Sequence, residues 1–177
     1  MKSFKINLGC GTDIRPGYVN VDKYRFGDNI VHDIDRNGLR IFKDEQADYI
    51  IMSHIIEHIR NYKELVDECN RVLNDKGVLE MYYPHYSSNQ AYTDPTHINH
   101  FSVFTFEYYT NKFSQWKYAK KHFNRISKYI VFKKNPYIWN IIIEKIVNVN
   151  DFTLTVYEEI FAWVFPAGHC VIKLYKE

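Results

Sequence analysis

Two groups of residues in this chain have the types and spacing to do chemistry. The first is Gly9-Cys10-Gly11, at the end of the apolar run Phe4-Lys5-Ile6-Asn7-Leu8, with Asp22 closing a second run, Tyr18-Val19-Asn20-Val21. Glycines at a strand-to-loop turn let the backbone approach a ligand closely, and an acid at the tip of the next strand can accept from both ribose hydroxyls. The slot for the third glycine of a dinucleotide fingerprint holds Ile14, and Asp22 arrives about half as far along as the usual ~20 residues. A dinucleotide is therefore disfavoured, while a smaller adenosine-type ligand is still admitted. The plain alternative is a structural turn. The second group is Tyr92-Thr93-Asp94-Pro95-Thr96-His97-Ile98-Asn99-His100-Phe101. Histidine titrates near neutral pH, so His97, or failing that His100, suits a general base, with Asp94 to orient the imidazole. The plain alternative is a loop held by turn hydrogen bonds of its Asp and His side chains.

Two further patterns touch metals. His54-Ile55-Ile56-Glu57-His58 has the H-x-x-E-H spacing of one class of zinc peptidases. Zinc in that setting needs the motif on a helix and a third ligand, and here the segment follows a buried strand. Asp94, His97 and His100 could gather a divalent cation, but only one of them is a carboxylate and hard cations prefer oxygen. No metal is assigned. His85, in Tyr83-Pro84-His85-Tyr86, is a further residue that could line a pocket.

The elements that must position these groups are legible as short runs. Strands are predicted at 4–8, 18–22, 29–33, 47–53 and 78–83, each apolar and ending in small, acidic or proline residues. A helix is predicted over 61–75, with Tyr62, Leu65, Val66, Cys69, Val72 and Leu73 on one face, Asn61 as its cap and Lys76-Gly77 as its stop. Residues 84–102 read as a long polar loop, and a loop of that length is usually functional. A helix near 103–112, a strand at 126–133, helices at 137–148 and 152–164, and a last strand at 170–175 complete the pattern. Strands alternating with helices predict a doubly wound, mostly parallel α/β sheet. Only Thr12–Gly17 separates the first two strands, too little for a crossover helix, so the first helix is shortened or absent.

Composition sets the frame. The 177 residues fit one domain, divided into a half at 1–83 that holds the glycine turn and a half at 84–177 with the His-rich loop and the last strands. The net charge of +2 hides a basic block, since residues 112–150 carry nine Lys/Arg against one Glu. Phe113, Trp116, Tyr118, Phe123, Tyr129, Phe132, Tyr137 and Trp139 are interleaved there. Lysines with aromatics can mean nucleic acid, and they can equally grip an acidic glycan or phosphorylated carrier, or form a solvated face over an aromatic core. Cys10, Cys69 and Cys170 are odd in number and widely spaced, which excludes a disulfide framework or a Cys-rich zinc site and suits a reducing cytoplasmic setting. The N-terminus shows no signal-peptide pattern, and no apolar run approaches the ~18 residues of a membrane span.

In this order the motifs resemble class I methyltransferases that use S-adenosylmethionine. Ile6-Asn7-Leu8-Gly9-Cys10-Gly11-Thr12 is similar to that family's first motif, and Asp22 to its ribose-binding acid. His32-Asp33-Ile34 resembles the motif in which an Asp faces the adenine amino group and the next backbone N–H meets the ring. Asp48 to His58 is similar to the fourth-strand motif of the small-molecule branch, and Gly77-Val78-Leu79 to its fifth strand. The resemblance extends to short family members with Gly-Cys-Gly followed by Pro-Gly-Tyr-Val-Asn-Val-Asp, some of them associated with sugar or cell-surface polysaccharide pathways. It implies a Rossmann-like fold and S-adenosylmethionine held by Gly9, Cys10, Gly11, Asp22, Asp33, Ile34, Ser53 and His54. It also implies a small-molecule or glycan acceptor, met by His58 and His85, with O-methylation assisted by His97, His100 and Asp94. An RNA methyltransferase would use the basic block, notably Lys120, Lys121, Lys133 and Lys134; Ser53-His54-Ile55-Ile56 lacks the Asn/Asp-Pro-Pro-Tyr motif of base N-methylation. The remaining reading is a non-catalytic nucleotide-fold module.

Overall fold

Short β-branched and aromatic runs pair side by side, and their order brings the candidate residues to one edge of a sheet. The computed structural model describes residues 4–120 and 122–176; Lys121 lies outside them. Strands β1 (Phe4–Leu8), β2 (Tyr18–Asp22), β3 (Ile30–Val31), β4 (Ala47–Ser53), β5 (Leu73–Pro84), β6 (Arg125–Val131) and β7 (His169–Tyr175) form one sheet in the order β3-β2-β1-β4-β5-β7-β6. β1 to β5 run parallel, and β7 is antiparallel to both β5 and β6. The mostly parallel α/β sheet predicted from the alternation is therefore present. Ile6, Leu8, Val21, Ile50, Met52, Leu79 and Met81 are fully buried, as expected of strands covered on both faces. No described helix is long and apolar enough to cross a membrane.

The helices are α1 (Ile34–Asn37), α2 (Tyr62–Val72), α3 (Gln90–Thr93), α4 (Asn140–Val147) and α5 (Asp151–Val156), the last running on into a π turn, Tyr157–Phe161. α2 buries Leu65, Val66, Cys69 and Val72, the face its periodicity predicts. It stops three residues earlier than predicted. Leu73 is buried and already extended, paired with Ala47, and Lys176 Nζ donates to the carbonyls of Asn70 (3.1 Å) and Leu73 (2.6 Å). The helix predicted near 103–112 is instead a pair of 3₁₀ segments, Thr105–Tyr109 and Asn111–Trp116. Phe106 and Tyr109 are both buried, and a spacing of three puts them on one face of a 3₁₀ turn.

No helix joins β1 to β2. Two buried asparagines hold the loop there. Asn7 Nδ2 donates to the Asp13 carbonyl (2.8 Å) and to Asn20 Oδ1 (3.0 Å), and Asn20 also bonds the Arg15 backbone N–H (3.0 Å) and carbonyl (3.1 Å). Side-chain amides thus satisfy backbone groups that a crossover helix would have paired internally.

Candidate active site

The two glycines of the first turn do different work. Gly9 has φ +64°, and a Cβ there would lie 2.5 Å from Ile55 Cγ1. It is needed so that the segment after β4 can pack onto the end of β1. Gly11 has φ +47°, and a Cβ would meet nothing within 4 Å. Its turn therefore faces open space, as a backbone that receives a ligand must. Gly9→Ala should cost about 2–4 kcal/mol in urea unfolding, from the left-handed backbone together with the overlap on Ile55. Adding Ile55→Ala should return the steric part; an unchanged double mutant would put the whole cost in the backbone.

Asp22 sits at the carboxyl end of β2, half-buried. Its Oδ2 accepts from the Gly11 N–H (2.9 Å) and its Oδ1 from the Tyr24 N–H (2.9 Å). An ionised carboxylate has about four acceptor positions, so these bonds orient it and still leave one on each oxygen. Cys10 between the glycines is buried; burial, and then the nearby Asp22 charge, push its thiol up, so it packs as a neutral side chain. β3 is shorter than predicted, ending at Val31, so Asp33 lies beyond the strand. Its Oδ1 caps α1, accepting from the backbone N–H of Asp35 (3.1 Å) and Arg36 (3.2 Å), and Arg36 Nε lies 3.7 Å from Oδ2. Ile34, the first residue of that helix, is buried.

Ser53 ends β4 opposite Tyr82, and the His54 N–H continues the ladder to the Tyr82 carbonyl (2.9 Å). His54 has φ +53°, which turns the chain sharply into a 3₁₀ turn, Ile56–His58. This turn carries Glu57 inward, 1% exposed. Neither Glu57 oxygen has a hydrogen-bond partner among the described residues. Two imidazole nitrogens lie near it: His54 Nδ1 at 3.4 Å and His97 Nε2 at 3.9 Å from Oε1.

The His-rich loop is stapled over this turn. The N–H groups of Ile98 and Asn99 both donate to the Glu57 carbonyl (3.1 Å each), and Asn99 Nδ2 donates to the Ile59 carbonyl (2.7 Å). That sets the His97 ring against His58, with centroids 4.7 Å apart. Asp94 is at the rim, with Oδ2 3.9 Å from His97 Nε2. Its carboxyl is held below the usual range by hydrogen bonds from the Thr96 side chain and backbone.

Two predicted residues stand apart from this cluster. His100 is exposed and packs on Tyr92, with centroids 4.4 Å apart. His85 is fully buried, its Nδ1 faces Ser87 Oγ (2.8 Å) and its Nε2 faces Glu158 Oε1 (3.1 Å). Glu158 also accepts from Ser102 Oγ (2.5 Å) and the Val103 N–H (2.8 Å), so the pair pins the start of the loop to the π turn. Asn7, Asn20 and Asn99 are the residues that spacing did not single out; each acts through partners elsewhere in the chain.

Neither of the two larger clefts is lined by Gly11, Asp22 or the Glu57–His58–His97 cluster. One, of 630 Å³, lies between α1 and α2 beside Arg71, away from the glycine turn. The other, of 920 Å³, opens at the carboxyl edge of the sheet between α3, the ends of β6 and β7, and the π turn, with Ser88, Gln90, Trp139, Trp163 and His169 in its wall. His169 packs edge-on against His54 (5.9 Å); burial, and then His54, hold its pKa below the usual imidazole value. α3 is a shared wall: Gln90 and Tyr92 face the cleft, and the Ala91 carbonyl meets His97 Nδ1 (3.2 Å).

The basic block is only partly a solvated face over an aromatic core. Phe123 and Phe132 are buried, while Trp116, Tyr118, Tyr137 and Trp139 are exposed. Several of its lysines are paired within the chain: Lys112 and Lys128 with Glu107, and Lys134 with Glu144. These pairs weaken the case for a continuous cationic track for nucleic acid.

A family model described as a methyltransferase domain matches residues 6–130. A solved S-adenosylmethionine-dependent methyltransferase from Archaeoglobus fulgidus superposes with a TM-score of 0.66 at 16% identity, covering 98% of this chain and 86% of that one. Phosphoethanolamine N-methyltransferase 2 of Haemonchus contortus, in complex with S-adenosyl-L-methionine, gives 0.57 at 12% identity over 100% of this chain and 49% of that one. A putative methyltransferase of Haloferax volcanii, complexed with the Trm112 methyltransferase activator, gives 0.53 at 13% identity, covering 97% of this chain and 81% of that one. No curated protein matches the chain in sequence.

Proposed function

From the premise that the chain belongs to the methyltransferase-domain family, we propose that this S-adenosylmethionine-dependent methyltransferase O-methylates a sugar or another small hydroxylated acceptor. Residues 1–83 hold the cofactor, and 84–177 receive the acceptor. The cofactor supplies an electrophilic methyl group on a sulfonium. The residues present fit it. The open Gly11 turn receives its backbone-facing side, and the free acceptor positions of Asp22 suit a ribose diol. Asp33 Oδ2 and the Ile34 backbone suit the adenine edge, and Gly9, Cys10, Ser53 and His54 build the adjoining wall.

The observation that carries the hydroxyl reading is the Glu57–His58–His97 cluster. A hydroxyl must lose a proton to become a good nucleophile, and acid–base assistance of that kind gives roughly 10²–10⁴-fold. His97 is the residue on which acceptor activation turns, with Asp94 at its edge and His58 beside it. The 920 Å³ cleft supports a sugar or glycan. Its size is that of a small-molecule site, and it sets amides and hydroxyls from Ser88, Asn89 and Gln90 beside the aromatic faces of Tyr137 and Trp139. The three buried free cysteines support a reducing cytoplasmic setting.

The test is methyl transfer from labelled S-adenosylmethionine to a panel of sugars, glycans, amines and RNA. The expected result is an alkali-stable ether on a hydroxylated acceptor, reduced roughly 10²–10⁴-fold by His97→Ala. Label confined to amines or RNA would overturn the acceptor class.

A further inference from the structure

We propose that Glu57, His58 and His97 bind one divalent transition-metal ion of the manganese, iron or zinc kind. One donor atom from each of the three lies within 4.8 Å of the others. Neither of the two H-x-x-E-H histidines paired by spacing nor the Asp94–His97–His100 set provides this grouping. It takes the Glu and the second His from one motif and a single His from the other.

Three observations point to a cation. The first is the Glu57 carboxylate. It is 1% exposed, and neither oxygen accepts a hydrogen bond among the described residues. Buried carboxylates are ordinarily paired, hydrogen-bonded or bound to a metal. The neighbouring imidazoles stand at 3.4 and 3.9 Å, longer than the 2.7–2.9 Å of a charge-assisted hydrogen bond.

The second is the state of the two rings. His58 Nδ1 faces the Thr96 carbonyl at 3.2 Å, and His97 Nδ1 faces the Ala91 carbonyl at 3.2 Å. A carbonyl only accepts, and the Thr96 hydroxyl, 3.0 Å from His58 Nδ1, gives its own proton to Asp94 (2.6 Å), so each Nδ1 is a donor; in the neutral rings that leaves the Nε2 lone pairs for an ion. Backbone carbonyls fix metal-binding histidines in this way, setting tautomer and ring orientation before the ion arrives. The third is rigidity. The Ile98 and Asn99 N–H bonds to the Glu57 carbonyl lock the two ligand-bearing segments together.

The donor set names the class of metal. Two imidazoles and one carboxylate suit manganese, iron or zinc, whereas magnesium and calcium prefer oxygen alone. Bonds of about 2.0–2.2 Å put donor atoms about 3.0–3.4 Å apart, so they must close by up to about 1.4–1.8 Å from the present 4.8 Å bound. Three protein ligands leave positions open. That an acceptor oxygen takes one of them rests on the methyl-transfer reading; the metal binding does not.

The test uses the full chain, stripped of metal, without cofactor or acceptor. Calorimetric titration with Mn²⁺ and with Zn²⁺ should give one ion per chain at micromolar Kd or tighter, and at least 100-fold weaker binding of Mg²⁺. His58→Ala, at a half-buried position, should weaken Zn²⁺ at least 100-fold, and Glu57→Gln likewise. Titrating S-adenosylhomocysteine into the same variants reports cofactor binding separately. No binding below millimolar metal, or binding unmoved by both substitutions, would overturn the site and leave the methyl-transfer reading standing.

Discussion

In metal-free buffer, Glu57→Gln should make the protein more stable and less active. The substitution removes a buried charge that no hydrogen bond compensates. An uncompensated buried polar or charged group costs about 1–3 kcal/mol, and the amide, being neutral, can donate to His97 Nε2. For a chain of this size, about 2–4 °C per kcal/mol translates that gain into a melting temperature higher by about 2–12 °C. Methyl transfer should fall by roughly 10² or more, because the carboxylate at the centre of the acceptor cluster is gone. Calorimetric melting and label incorporation measure both halves. Stability traded against activity at one position is the expected signature of a functional site. A lower melting temperature would mean that the carboxylate is stabilised by something other than a bound ion or substrate.

The second large effect lies at Asp22. Asp22→Ala should weaken S-adenosylhomocysteine by roughly 10²–10³-fold, since about 3–4 kcal/mol of charge-assisted bonding is lost. Two contributions combine. The ribose loses its acceptor, and the Gly11 and Tyr24 N–H groups lose the carboxylate that holds the turn. Asp22→Asn keeps one acceptor oxygen and should lose only about 10-fold. Asp33 provides the contrast. Its Oδ1 is occupied by the α1 cap, so Asp33→Ala should cost about 1 kcal/mol of stability with a smaller loss of affinity. Equal affinities for Asp22→Ala and the parent protein would remove the ribose role.

Much of this was readable from the chain. β1, β2 and β4 fall on the predicted residues because buried parallel strands are short, apolar and closed by turn formers. The missing first helix follows from the six residues between Gly11 and Tyr18. What could not be read depended on partners far along the chain. The distinct duties of Gly9 and Gly11 are set by Ile55, and the loop between β1 and β2 by the buried pair Asn7–Asn20. His85 was read as a residue that could line a pocket, yet Glu158, 73 residues away, holds it in the core. Glu57 was visible as part of a zinc-peptidase spacing and of the run after the fourth strand, with no role of its own. The positive φ of His54 and the Asn99 staples, neither of them legible as a period or motif, turn it inward to meet His97.

The central claim is that the Gly11 turn and Asp22 form a cofactor site. Calorimetric titration of the unmodified chain with S-adenosylmethionine, and with its demethylated product, tests it most directly. One site per chain is predicted, with dissociation constants in the micromolar range and each ligand displacing the other. Absence of binding at millimolar concentrations of both would contradict it.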